Sequence, residues 1–175
     1  FWVKSYNKER FEEDIESLTA FYNNQGFRDF RVLNDTISVD KEKATLSLSL
    51  KIEEGPKYVY KNFRFEDNRI ASEDELLRLL NLKEGEIFSK EQFDKAVYEN
   101  MMSVYQNKGY IFSNVNPIIT PIGKDSLDVL FVFDEGNKVY VDQIFVSGNE
   151  KTRENVIRRE LKIYPGDVFN RSKLM

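Results

Sequence analysis

The sequence predicts an α+β fold made of tandem β-α-α-β-β modules, each a three-stranded mixed sheet covered on one face by two helices. Three observations predict it. The phrase Glu54-Gly55-Pro56-Lys57-Tyr58-Val59 returns as Glu135-Gly136-Asn137-Lys138-Val139-Tyr140, with Gly55 and Gly136 81 residues apart. Other landmarks return at nearly that distance: 81 residues for Gly85 and Gly166, 82 for Phe11 and Phe93, 83 for Gly26 and Gly109. Hydrophobic spacing also alternates between helical and strand periods in one recurring order. Residues 1–54 therefore read as the back half of a repeat (α-β-β), 55–136 as a complete repeat, and 137–175 as the front half of another (β-α and the start of a second helix). A repeat of about 80 residues is an ordinary size for a small domain.

Taken in order, Phe1, Trp2, Val3 and Tyr6 suggest a partly buried opening. Phe11, Ile15, Leu18 and Tyr22 line one helical face, with Asn7 as N-cap. Gly26 ends this helix, because glycine adopts the left-handed C-terminal conformation freely. Phe30 to Val39 leans to strand, and Asp40-Lys41-Glu42-Lys43 is a polar turn. Ala44, Leu46, Leu48, Leu50 and Ile52 then alternate with polar residues, which predicts a strand with one buried and one wet face. The two runs form a hairpin.

The complete copy opens with a strand over Tyr58 to Glu66, Phe63 and Phe65 sharing a face. Ser72 with Glu75, and Ser89 with Gln92, have capping-box spacing. Leu76, Leu77 and Leu80 form the stripe of the first helix; Phe93, Val97, Met101, Val104 and Tyr105 form that of the second, which Gly109 ends. Strands follow at Val115 to Ile122 and Leu127 to Phe133 around a Gly123-Lys124-Asp125 turn. In the last copy Val139 to Val146 is expected to be a strand, Gly148-Asn149 a turn, and Thr152 the cap of a helix carrying Val156, Ile157 and Leu161. Pro165-Gly166 then matches Glu84-Gly85, and Leu174 falls at the place of Phe93.

Composition narrows the function. The 26 basic and 30 acidic residues are well mixed, so no basic stripe offers itself to nucleic acid. No apolar run approaches the roughly 18 residues that mark a membrane helix. With no histidine and no cysteine, the usual general base, the commonest metal ligand and the thiolate nucleophile are missing. No cofactor is implied. Glu53-Glu54 and Asp134-Glu135 are adjacent on strands and point to opposite faces, so neither pair converges on a substrate. Asp40, Glu42, Asp125 and Asp128 lack the spacing of a calcium loop and read as turn residues. Phe63, Phe65, Phe93, Tyr105, Phe131 and Phe133 read as core. An enzyme working with carboxylates alone would need two convergent acids, and none are apparent.

What remains is backbone chemistry. An unpaired sheet edge offers N–H and C=O groups to an incoming extended segment, largely irrespective of its sequence. The best candidate edge is Val115, Asn116, Pro117, Ile118, Ile119 and Thr120, since a proline cannot donate within a central ladder. Pro117 is equally consistent with a device that blunts the edge against aggregation.

Several phrases together resemble the POTRA domains of the BamA family of outer-membrane assembly proteins. They are the strand end Val146-Ser147-Gly148-Asn149, the connection Gly166-Asp167-Val168-Phe169, the helix ends Tyr105-Gln106-Asn107-Lys108-Gly109-Tyr110 and Tyr22-Asn23-Asn24-Gln25-Gly26-Phe27, and Val132-Phe133-Asp134-Glu135-Gly136. The complete copy departs at Asp67-Asn68, where Gly-Asn is expected, and an Asp- or Asn-based left-handed turn is expected instead. Gly26-Phe27-Arg28-Asp29 resembles the Bacteroidetes version of the phrase.

The resemblance implies a periplasmic, non-enzymatic docking arm. Unfolded outer-membrane proteins and accessory subunits would be its partners, and the parent chain would continue into a membrane β-barrel. It implies a second edge from Val32 to Ile37, including Asn34 and Thr36, and hinges at Gly55, Pro56, Gly136 and Asn137. A transporter for secretion across the outer membrane and a purely structural spacer are the rival roles. The half repeats are expected to pair between neighbouring chains in a crystal, because half domains expose apolar faces.

Overall fold

The computed structural model describes residues 7–40 and 42–174. The expected burial of Phe1, Trp2, Val3 and Tyr6 lies outside the described residues, as do Lys41 and the side chain of Leu174. Contacts group the chain into two compact units. The first holds the chain up to Asn62 with Lys83–Phe93 and Ile119–Val129; the second holds Phe63–Leu82, Asp94–Ile118 and the chain from Leu130 onward.

In the first unit, helix α1 (Lys8–Asn24) starts where the Asn7 side chain accepts from the Arg10 N–H at 3.2 Å. It ends at Gly26, whose φ of +101° lets the Phe27 N–H turn back to the Tyr22 carbonyl at 3.0 Å. Tyr22 stacks on Phe30 with ring centroids 4.1 Å apart. Strands β1 (Arg31–Asp40) and β2 (Thr45–Glu53) pair antiparallel, Thr36 facing Ser49, with one irregularity between Val32 and Asn34. Asp40 closes their turn by accepting from the N–H groups of Glu42 and Lys43. The alternation of β2 predicts a buried face, but Leu46, Leu48, Leu50 and Ile52 remain 37–46% exposed. Among the described residues β1 is the only strand paired with β2, and the face of the hairpin that carries these side chains is left partly uncovered.

A three-stranded sheet in the order β3-β5-β4 follows, built from β3 (Val59–Glu66), β4 (Asn114–Ile122) and β5 (Ser126–Asp134). Within the first unit, the loop before the second helix of this repeat runs back along β3. Gly85 N–H donates to Tyr60 O at 2.7 Å, Tyr60 N–H to Glu86 O at 3.0 Å, and Phe88 N–H to Tyr58 O at 2.9 Å. This fixes the buried rings of Tyr60, Phe88 and Phe93, whose centroids lie 5.8–6.3 Å apart.

In the second unit, Phe65, Phe131, Phe133 and Tyr105 stack into a buried column. Each such ring contributes about 1.5–3 kcal/mol through burial. Helix α2 (Glu73–Leu80) is capped by Ser72, which accepts from the Glu75 N–H at 3.3 Å. The reciprocal half of the expected capping box is absent, because the Glu75 carboxylate pairs with Lys108 Nζ at 3.1 Å. Leu76 and Leu80 are buried, whereas Leu77 is 41% exposed and off the stripe.

The expected second helix has three parts: α3 (Lys90–Asp94), a π-helical stretch Lys95–Met101, and α4 (Met102–Asn107). Buried Phe93, Val97, Met101 and Tyr105 are spaced four apart. At about 3.6 residues per turn such a stripe drifts around an α-helix. Bonding to i+5 puts more residues in each turn and brings it back into line.

Asp67 takes a left-handed φ of +64°, at the place where Gly148 has +79°. In the last copy, Val139 to Val146 does not form the expected strand: among the described residues it makes one isolated bridge, Tyr140 to Val168. A strand needs a neighbour along its length, and the backbone pairing with the Gly166–Phe169 loop reaches only Val139 to Val141. Helix α5 (Glu154–Glu160) starts after Arg153 and not after Thr152, whose carbonyl instead accepts from Asn149 Nδ2 at 3.0 Å. The chain ends in α6 (Arg171–Leu174), which packs on α4.

Candidate functional site

The candidate edge Val115–Thr120 lies in β4, an outer strand of its sheet. Val115 anchors it in the core, while Asn116, Ile118 and Thr120 are exposed. Among the described residues, no backbone hydrogen bond from outside the ladder reaches β4. The other outer strand differs, since the Gly85–Phe88 loop occupies the start of β3. The second candidate edge, Val32 to Ile37, lies in β1, where Asn34 Nδ2 donates to Thr36 Oγ1 at 3.3 Å.

The carboxylates that might have met on a substrate serve structure. Glu53 pairs with Arg31 across the β1–β2 ladder at 2.6 Å. Asp134 accepts from the Gly136 N–H at 3.3 Å, and Glu135 from the Ile70 N–H at 2.7 Å. Buried Asp128 accepts from Asn62 Nδ2 at 3.0 Å. Among the described residues no group of three acids converges on a metal position.

The four residues expected to be hinges sit beside two junctions that share one set of contacts. Gly55 and Gly136 have φ of +71° and +61°. Just after each, the chain is tied back to the preceding helix end: Tyr58 N–H donates to Gly26 O, and Val139 N–H to Gly109 O, both at 2.9 Å. Lys57 lies over the Phe27 ring and Lys138 over that of Tyr110, at 5.9 and 5.6 Å. A Cβ on Gly26 would lie 2.8 Å from Ile87 Cγ2, and one on Gly109 2.5 Å from Val168 Cγ1. Only glycine fits either place.

Each junction also uses an asparagine that sequence reading did not single out. Asn24 Oδ1 accepts from the Glu91 N–H at 2.9 Å, and Asn107 Oδ1 from the Ser172 N–H at 3.1 Å. Each caps the helix of the following copy. The signal was present in the two helix-end phrases, where asparagine stands two residues before the glycine in both.

Tyrosine–acid contacts complete the junctions. Tyr58 donates to Asp29 at 2.6 Å, and this hydrogen bond holds its phenol above the ordinary range. Hydrogen bonding to Glu54 raises Tyr22 likewise. At the corresponding place in the next copy, burial and then the charge of Glu135 push Tyr105 far up.

Comparison with known proteins gives the family. The model of POTRA, described as surface antigen variable number repeat, matches residues 4–55, 58–136 and 139–175. The outer membrane protein assembly factor BamA of Neisseria meningitidis serogroup B is 30% identical over 171 residues, covering 97% of this chain and 21% of that protein. BamA of Nitratidesulfovibrio vulgaris is 31% identical over 173 residues, covering 95% and 21%. The chain thus spans about a fifth of the length of these relatives. Among solved structures, BamA POTRA3-5 of Haemophilus influenzae superposes with a TM-score of 0.72 at 21% identity, over 99% of this chain and 69% of that one. This chain belongs to the POTRA family.

Proposed function

We propose that the chain is a periplasmic segment of an outer-membrane β-barrel assembly protein. It binds unfolded outer-membrane proteins and accessory subunits by adding their extended segments to sheet edges. The work is non-enzymatic, and the parent chain continues into a membrane β-barrel. The observation that carries the reading is the outer position of β4, whose far side no backbone group reaches among the described residues. Support for the cellular role comes from the relatives, which are named as outer membrane protein assembly factors. Photo-cross-linking from Asn116 or Ile118 to an unfolded outer-membrane protein tests it. Cross-links above background are expected at these edge positions, and their absence at every edge position rejects the reading.

A second reading, a spacer that sets the distance between partners, is favoured by the backbone bonds that pin both junctions. Proline substitutions along β4 in the full-length protein separate the two. Unchanged assembly with an intact fold supports the spacer; lost assembly supports strand addition. A role in secretion across the outer membrane would show the same edge cross-links, with secreted clients in place of barrel proteins.

A further inference from the structure

The complete repeat shows what each half repeat leaves uncovered. At the 81-residue spacing of Gly55 and Gly136, β2 stands where β5 does, and residues 140–147 stand where β3 does. The isolated bridges keep the same spacing, Val59 to Ile87 and Tyr140 to Val168. In the complete repeat Leu127, Val129, Phe131 and Phe133 of β5 are all buried. Their counterparts in β2, Leu46, Leu48, Leu50 and Ile52, lie open. The helices divide in the same way. Leu76 and Leu80 of α2 are buried, whereas Ile157 and Leu161 at the matching places are not. Phe93, Val97, Met101 and Tyr105 are buried, whereas α1 buries none of its residues. Each half repeat therefore exposes an apolar surface whose counterpart in the complete repeat is covered by the other half.

Charge points to the same pairing. Residues 1–54 carry 8 basic and 11 acidic side chains, and residues 138–175 carry 8 basic and 5 acidic ones, so one half is net acidic and the other net basic. The imbalance sits where the halves would meet. In the complete repeat α2 packs on the π-helical stretch Lys95–Met101, and the matching contact sets α5 on residues 12–18 of α1. Glu12, Glu13, Asp14 and Glu16 are exposed there, and Arg153, Arg159 and Lys162 are exposed on and beside α5. We infer that the occupant of the open β1–β2 face is a second copy of this chain, whose residues 138–175 complete the half repeat at 1–54. Residues 140–147 of the second copy run along the free side of β2, and its α5 lies on α1. The exchange runs head to tail, because each copy offers two different surfaces. It uses the inner strand and the helix layer, and so does not depend on client binding at β4. The rings of the complete repeat fix the register. Phe65 lies 5.2 Å from Phe131 and 6.4 Å from Phe133, centroid to centroid. Val146 of one copy therefore belongs beside Leu50 and Ile52 of the other.

The chain has no cysteine of its own, so single introduced thiols report the contact. An isotopically labelled Leu50→Cys chain is mixed with an unlabelled Val146→Cys chain under mild oxidation, and mixed-isotope disulfides are read by mass spectrometry. A disulfide between positions 50 and 146 is expected. Leu46→Cys in place of Leu50→Cys moves the thiol about 13 Å along the strand. A disulfide needs Cα atoms within about 7 Å, so this pair should give on the order of tenfold less product. Raising the salt concentration should lower the yield of the 50–146 link. Glu13→Lys with Glu16→Lys in the first chain should lower it too, and Arg153→Glu with Arg159→Glu in the second should then restore part of it. Equal yields from positions 46 and 50 overturn the exchange, as does the absence of a 50–146 disulfide while circular dichroism shows both chains folded. A chain that stays monomeric while the thiol at position 50 links to an added unfolded polypeptide also overturns it, and assigns the face to a client.

Discussion

Replacing Gly109 by alanine should uncouple the last junction from the helix end that supports it. The new Cβ would meet Val168 Cγ1 at 2.5 Å, Lys138 Cγ at 3.2 Å and the Phe169 carbonyl at 3.4 Å. The lysine chain can swing aside, but Val168 cannot easily. Its loop is held by Gly166 N–H to Val141 O at 2.7 Å and Phe169 N–H to Val139 O at 3.0 Å. The φ of +94° adds a second cost. Left-handed backbone costs alanine about 1–2 kcal/mol, and overpacking about 1–3 kcal/mol. The sum is about 2–5 kcal/mol, lost locally. Gly123→Ala is the control, since Gly123 has φ +68° with nothing within 4 Å of its Cβ position and should show the backbone cost alone. The readout is amide exchange at Val139, whose N–H donates to Gly109 O. A local loss of about 2 kcal/mol corresponds to roughly 30-fold faster exchange where reclosing is fast compared with exchange. Val168→Ala removes the obstructing methyl, so the double variant should recover part of the loss. If Gly109→Ala costs no more than Gly123→Ala, or Val168→Ala gives no recovery, the tight junction described here is wrong.

Three further outcomes are expected. Asn107→Ala should cost about 1 kcal/mol of local stability through the lost cap on Ser172, read as faster exchange of that amide; Asn24→Ala should do the same at Glu91. Tyr105 is raised, so its neutral form is favoured in the folded state. Its contribution is complete below about pH 10, the unfolded value, and is lost as pH rises through the folded one. Denaturation between pH 9 and 12 should therefore show a steeper alkaline loss for the native chain than for Tyr105→Phe; parallel curves would contradict this. Finally, the half repeat at 138–175 of one copy is expected to complete the half repeat at 1–54 of another, so sedimentation should show concentration-dependent association that Leu48→Glu, on the exposed face of β2, abolishes. A monomer at every concentration refutes that pairing.

Much of the fold was legible because it rests on local rules that recur. Gly26 and Gly109 end their helices at matching places, Asn7 and Ser72 cap theirs, and Asp67 takes the left-handed turn that glycine takes at 148. What escaped was non-local. The stripe from Phe93 to Tyr105 reads as an ordinary helical period, and tertiary packing of its four-residue spacing selects the π stretch within it. The run Val139 to Val146 has strand-forming residues, but a strand exists only through its neighbour. The alternation in β2 specifies which face is apolar and not whether anything covers it. Asn24 and Asn107 reach amides 67 and 65 residues away, beyond any window of periodicity. The outer position of β4 was readable from Pro117.

Single-residue amide exchange along β1 and β4, with and without an unfolded outer-membrane protein segment, tests the central claim most directly. Strand addition predicts new protection at alternate residues of these strands, including Val115 and Ile119, with the exposed helix faces unchanged. Protection that appears on helix surfaces, or none on either strand while the segment is bound, would contradict it.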